Sequence, residues 1–268
     1  MTTLKNYSRI LAMAALVFTA VSCDTNNNAD SDLELIPVNS VTVSGYTVSL
    51  HAETELETGA NQLYWQIEEG SKPAEIESFT ITPMMDMGQM MHSTPYEQPV
   101  TSDEDEDYLQ NMAVFIMPSG EMGSWSVSFE ITRMNGETVS GELPIEVSSS
   151  WKFTSTRGDD DKVYYISWYA PQKPVSGNND LVFLIHTRTG MMDFPAVENA
   201  ELSVYPYMDM GGGSGHSTDY TTPVAMGDGF YQGEINYSMS GVWTTSVQLI
   251  AENDTLPEVM FEYSVQAK

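Results

Sequence analysis

Two short stretches of this chain bring thioether sulfur and imidazole together. Residues 83–94 read PMMDMGQMMHST, and residues 206–218 read PYMDMGGGSGHST. A thioether is a soft, neutral donor that suits Cu(I) better than Zn(II), Ca(II) or Mg(II), and imidazole also accepts copper. Met85 and Met87 are two residues apart, as are Met208 and Met210. In an extended segment, residues i and i+2 project from one face, so both sulfurs of a pair point the same way. The glycine after the second methionine permits a turn that carries His92 or His216 back over that face. Two sulfurs and one imidazole make a three-coordinate Cu(I) site. The expected metal ligands are therefore Met85, Met87 and His92 in the first stretch, and Met208, Met210 and His216 in the second.

Other readings compete. Methionine fills irregular gaps in cores, so these residues also fit a hydrophobic cap on the end of a domain. An exposed surface for a protein partner is a further reading. Asp86, Gly88 and Gln89 interrupt the first run, and Asp209 with GGGSG interrupts the second; such loops make a poor core. Asp86 and Asp209 suit two roles: orienting the histidine N–H behind a metal, or closing an Asx-turn. Met117, Met122 and Met239 are candidates for a third sulfur or for ordinary loop packing. Met191 and Met192 have no match in the first stretch and read as packing. His51 and His186 are likewise unmatched and read as surface or strand residues. Tyr96 and Tyr220, matched in His-Ser-Thr-x-Tyr, are expected to pack under the loops.

The elements that must hold these loops are written twice. His-Ser-Thr-x-Tyr-x-x-Pro-Val occurs at 92–100 and at 216–224. Downstream, GSWSVSFEI (123–131) aligns with GVWTTSVQL (241–249); upstream, QLYWQI (62–67) aligns with DLVFLI (180–185). Trp125, Val127, Phe129 and Ile131 alternate with polar residues, as a half-buried strand requires. VTVSGYTVSL (41–50) and KVYYISWYA (162–170) are rich in β-branched and aromatic residues. The expected fold is all-β: two tandem immunoglobulin-like antiparallel β-sandwiches. The expected organisation is a signal peptide at 1–22, a tether at 23–39, repeat 1 at 40–148, a linker at 149–160 and repeat 2 at 161–268. Arg-Gly-Asp at 157–159 reads as a chance tripeptide in that linker.

Pro-x-Met-x-Met-Gly…His, followed by Pro-Val and a closing Gly-x-Trp strand, resembles the YtkA-like and FixH-like domains. That resemblance covers roughly residues 40–145 and 160–265. It implies small extracytoplasmic β-sandwiches, some of them linked to copper handling and oxidase assembly, with Met85, Met87, His92, Met208, Met210 and His216 as ligands. This chain departs from the pattern in its two copies, its lipoprotein start and its glycine-rich second loop, which puts equal affinity of the two sites in question.

The N-terminus reads as an address. Lys5 and Arg9 precede an apolar run from Ile10 to Val21, the pattern of a secretory signal. Ala20-Val21-Ser22-Cys23 resembles the bacterial lipoprotein box, which implies cleavage before Cys23 and lipidation of its sulfur. Cys23 is the single cysteine, so no intrachain disulfide forms. The expected location is the cell envelope, anchored by lipid outside the cytoplasm, at the outer membrane or the periplasmic face. The formal net charge of the chain is −28. Such a surface repels nucleic acid and anionic lipid and attracts cations, so membrane contact is expected only through the lipid anchor. TSDEDED (101–107) reads as a solvated acidic hairpin. No phosphate loop, zinc-protease motif or nucleophile elbow is present in the sequence, so an enzyme is not expected. The expected function is copper binding as a chaperone, buffer or resistance factor, with an envelope protein as copper donor or acceptor. The alternative is a surface module that binds a glycan or a protein without metal.

Overall fold

The computed structural model describes residues 34–268 except Glu104, Asp160, Glu252 and Asn253. The expected signal peptide, the lipidation site Cys23 and the tether as far as residue 33 lie outside the described residues. Every regular element described is a strand, and the strands pair antiparallel into sheets.

The first repeat contains β1 (Ile36–Val43), β2 (Tyr46–Ala52), β3 (Gly59–Glu69), β4 (Ile76–Asp86), β5 (Met91–His92), β6 (Val100–Thr101), β7 (Leu109–Phe115), β8 (Ser124–Arg133) and β9 (Thr138–Ile145). One sheet runs β1-β2-β3-β7-β6 and the other β5-β4-β8-β9. The chain crosses between sheets after β3, after β5 and after β7. The sets β2-β3-β7 and β4-β8-β9 reproduce the ABE and CFG arrangement of immunoglobulin-like sandwiches, with β1 as an added edge strand.

The second repeat contains β10 (Phe153–Arg157), β11 (Val163–Ala170), β12 (Gly177–Thr187), β13 (Glu201–Gly211), β14 (Ser214–His216), β15 (Asp219–Tyr220), β16 (Val224–Gly227), β17 (Phe230–Tyr237), β18 (Gly241–Ala251), β19 (Asp254–Thr255) and β20 (Val259–Val265). Its sheets run β10-β11-β12-β17-β15 and β14-β13-β18-β19, with β20 also paired to β18. The central strands β11-β12-β17 and β13-β18-β20 repeat the plan of the first half. The stretch 149–160, expected to serve as a linker, contains β10, which pairs with β11 from Phe153↔Ser167 to Arg157↔Val163. Its composition is polar because β10 is an edge strand.

The alternation read in the Trp strands places their apolar side chains between the sheets. Trp125, Val127, Phe129 and Ile131 are buried in one cluster with Val48, Leu63 and Phe115. Trp243, Val247 and Leu249 are buried in a second cluster with Ile166, Phe183 and Phe261. Each repeat thus has its own core, yet the two halves form one compact unit. β3 lies against β11. On the outward side of β11, Tyr165 and Ser167 are buried, as is Leu184, the cross-strand partner of Ser167 on β12. The phenol of Tyr169 is pushed up by burial and then by the carboxylates of Glu53 and Glu97, both from the first repeat. Lys152 begins the second repeat with its ammonium 3.3 Å from the Glu57 carboxylate of the first.

A matched asparagine ties the start of the central strand in each repeat. Asn61 donates to the carbonyls of Glu57 (2.7 Å) and Gly59 (2.8 Å) and accepts from the Glu57 N–H (3.0 Å). Asn179 makes the same three bonds to Val175 and Gly177. Each bond contributes a net ~1 kcal/mol. Replacing Asn61 or Asn179 by Ala should therefore cost about 2–3 kcal/mol, read as a lower midpoint of chemical denaturation. A shift no larger than that of an exposed-site control would show that water replaces the tie.

Candidate metal centre

Both Met–His pairs sit at the end of a sandwich, opposite one another on adjacent strands. Met85 on β4 is the direct cross-strand partner of His92 on β5. Met208 on β13 is the partner of His216 on β14. Facing residues in such a ladder have Cβ atoms about 5 Å apart. Met85 and His92 are almost wholly buried, Met208 is buried, and His216 is half-buried.

The tryptophan strand supplies the floor. The His92 ring stands edge-on to Trp125, with centroids 5.7 Å apart and planes at 87°. His216 meets Trp243 at 5.4 Å and 84°. Each indole N–H is fixed by a carbonyl: Trp125 by Met117 at 2.8 Å, and Trp243 by Met239 at 3.1 Å. The glycine two residues before each tryptophan leaves space for the methionine methyl. A Cβ on Gly123 would lie 3.1 Å from Met85 Cε and 2.5 Å from the Asp86 carbonyl oxygen. A Cβ on Gly241 would lie 2.5 Å from Met208 Cε.

The histidines are oriented by backbone. His92 Nδ1 is 2.7 Å from the Ser93 carbonyl oxygen, and His216 Nδ1 is 2.9 Å from that of Ser217. A carbonyl only accepts, so Nδ1 carries the hydrogen and donates, which leaves Nε2 as the free lone pair. His216 Nε2 is buried without a hydrogen-bond partner. The threonine of each His-Ser-Thr run donates its hydroxyl to the facing strand, Thr94 to Val114 and Thr218 to Asn236.

The expected three-residue sets are only partly assembled. Met87 is partly buried against the first core, but Met210 is 60% exposed. The same-face rule needs a continuing strand between two sheets. β4 ends at Asp86, and a register shift separates Asp209 from Gly211. Asp86 and Asp209 close Asx-turns, accepting from Gly88 N at 2.7 Å and Gly211 N at 2.8 Å. Orientation of the histidines falls to the Ser93 and Ser217 carbonyls instead. Met117 packs its side chain on the core, whereas Met122 and Met239 are exposed; Met117 and Met239 contribute through their carbonyls. Tyr96 packs against the core beneath its loop, and Tyr220 is exposed. Gly123 and Gly241 were legible as a Gly-x-Trp repeat, but their contact with the methionine methyl was not. Among the described residues, no group of three or more His, Cys, Asp and Glu is placed to hold a metal, so any such site here depends on thioether sulfur.

Residues 159–248, which cover the second Met–His pair and its Trp strand, match the YtkA-like family model. That match covers one copy. No curated protein matches the chain. Among solved structures, the Escherichia coli adhesin FdeC aligns at 11% identity and a TM-score of 0.27, covering 84% of this chain and 66% of that one. The Yersinia pseudotuberculosis adhesin InvE aligns at 10% identity and 0.25, covering 84% and 60%. The D00–D0 domain of Intimin aligns at 10% identity and 0.24, covering 80% and 98%. The alignments thus span less than two-thirds of the FdeC and InvE structures.

Two outcomes follow from this packing. Both glycines hold a positive φ, 155° at Gly123 and 137° at Gly241, which strains alanine at either position; Gly123→Ala also meets backbone and should cost about 2–3 kcal/mol, whereas Gly241→Ala also meets the flexible end of Met208 and should cost less. Equal denaturation midpoints for the two variants would contradict that ranking. Burial also lowers His186 from its ordinary value of 6.5 to about 4, and its Nδ1 has no hydrogen-bond partner. Above pH 6.5 the ring is neutral both folded and unfolded. As pH falls towards about 4, the unfolded chain takes up a proton that the folded chain refuses. Stability should therefore drop across that window, by up to about 3 kcal/mol. His186→Leu should flatten the acid limb of a Tm-against-pH curve; an unchanged limb would assign the acid sensitivity elsewhere.

Proposed function

We propose that this chain is an extracytoplasmic Cu(I)-binding protein that acts as a chaperone, buffer or resistance factor, with one soft-metal site at the Met–His end of each sandwich. The observation that carries this reading is the His216 imidazole. Its Nδ1 is committed to a carbonyl, and its Nε2 is buried without a partner on the strand facing Met208. A buried acceptor left unpaired costs ~1–3 kcal/mol, and a metal ion relieves that cost. Met85 with His92, and Met208 with His216, would hold the ion. Bound there, copper would supply exchangeable soft-ligand coordination rather than turnover, so the role is binding and not catalysis. A YtkA-like match over the second site supports the same reading, as does the strongly acidic surface, which attracts cations. The lipid anchor at Cys23 and a location in the cell envelope belong to this proposal, with an envelope protein as copper donor or acceptor.

A second reading rests on a different observation. Tyr205 and Tyr207 stack on the outward side of β13, with centroids 6.2 Å apart and planes at 19°, and Tyr205 is half-exposed. An aromatic platform of this kind suits a surface module that binds a glycan or protein. On that reading, the buried Met85 methyl against Gly123 is packing alone.

A Cu(I) competition titration under reducing, anaerobic conditions separates the two. The chain from Asp24 should withdraw about two equivalents from a chromogenic chelator, one for each Met–His pair. Met85→Leu/His92→Ala and Met208→Leu/His216→Ala should each remove one equivalent, while Met210→Leu should leave the stoichiometry unchanged. Circular dichroism checks that each variant is folded. No withdrawal by the folded parent chain would sink the copper reading and leave the aromatic platform.

A further inference from the structure

The rim of the first site is built by both sandwiches. The Met87 N–H donates to the Met90 carbonyl at 3.0 Å, a tight turn that sets Met90 and Met91 at the edge of the first repeat. They are 52% and 51% exposed. Two residues beyond Met91, the Ser93 N–H donates to the Met191 carbonyl of the second repeat at 2.9 Å. Met191 and Met192 lie at the tip of a turn in which the N–H groups of Thr189 and Gly190 both reach the Asp193 carbonyl, at 3.1 and 3.3 Å. They are 40% and 53% exposed. One backbone hydrogen bond thus brings two pairs of solvent-facing methionines to a common edge.

Core packing does not explain four exposed thioethers, because exposed side chains gain little from burial. Nor are they a repeated feature. The second loop has glycine and serine (GGGSG, 211–215) in place of Met90 and Met91, and the first repeat has Gly-Ser-Lys-Pro (70–73) at its β3–β4 turn where the second has Gly-Met-Met-Asp. The grouping exists only because these two unlike repeats are joined in this order. Ser93 also supplies the carbonyl that orients His92, so the bond that joins the pairs lies beside the buried site.

We propose that Met90, Met91, Met191 and Met192 form an entry site for a soft monovalent cation, Cu(I) or Ag(I), shared between the two sandwiches and separate from the buried Met85–His92 pair. The proposal rests on the soft-metal reading given above. Thioethers carry no proton to lose, so binding at this site is insensitive to acid. The second site has no such collar, so the first repeat captures the ion first.

The test uses the chain from Asp24, labelled with carbon-13 at the methionine methyls and titrated with Ag(I). Signals are assigned by single Met→Leu variants, and spectra are recorded at neutral pH and again in mild acid. The expected result is that the Met90, Met91, Met191 and Met192 methyls shift together at the lowest Ag(I) additions. Their shifts should persist in acid. Met191→Leu/Met192→Leu should abolish the early shift at Met90 and Met91 and leave the final shift at Met208 intact. Shifts at Met85 and Met208 alone would overturn the entry site and keep the buried-site reading. Early shifts at the four exposed methyls alone would keep the entry site and remove the buried sites. No shift at any methionine would overturn both, and shifts at Met90 and Met91 that survive the Met191/Met192 substitution would overturn the shared site.

Discussion

The buried methionine of each repeat ends against a glycine of the tryptophan strand: a Cβ on Gly123 would meet the Met85 methyl at 3.1 Å and the Asp86 carbonyl oxygen at 2.5 Å, and a Cβ on Gly241 would meet the Met208 methyl at 2.5 Å. Much of each sandwich end depends on that approach. It lets the methionine strand lie directly along the tryptophan strand, with Met85 opposite Trp125. The indole is then held by its N–H bond to a carbonyl in the preceding loop. The histidine closes the layer, edge-on to the indole and opposite the methionine. Glycine, methionine, tryptophan and histidine form one interlocked unit, so a change in any of them is felt by the other three. Dense packing makes such a unit stiff and holds each methionine in fixed register with its histidine.

The two copies of this unit have different neighbours. The first is bounded by the second repeat, whose Gly190–Asp193 turn reaches Ser93. The second is more open: His216 is half-buried and Met210 faces solvent. Near-identical motifs therefore acquire different access because one lies at an internal junction. The burial of Tyr165, Ser167 and Leu184, together with the contact of β3 with β11, makes the junction a packed surface rather than a loose tether. Its polar composition disguised that, since β10 is an edge strand whose outward side chains meet water.

Charge and donor chemistry play separate parts. From Cys23 onward the chain carries 8 basic and 38 acidic residues, and the ion pairs described are few: Arg133–Glu137, Lys152–Glu57 and Arg157–Asp161. The excess carboxylates face solvent, where they draw cations without selecting among them. Selection would fall to the neutral thioethers, which do not hold hard cations well.

The sequence by itself determined the strands, their repeat and the pairing of each histidine with a methionine. Period-two alternation fixes which side chains of β8 and β18 face inward, and the order of the aligned blocks fixes the strand plan. Those are local or repeated signals, legible without coordinates. Only the tertiary structure decided which member of each methionine pair is enclosed. Met85 and Met87 share parity, as do Met208 and Met210, but parity specifies a direction and not an environment. The sandwich ends just beyond Asp86 and Asp209, so the first sulfur of each pair lies between two sheets, while Met87 is only partly covered and Met210 faces solvent. The backbone bond from Ser93 to Met191 was likewise invisible in the sequence, because it depends on how two separately closed cores pack together.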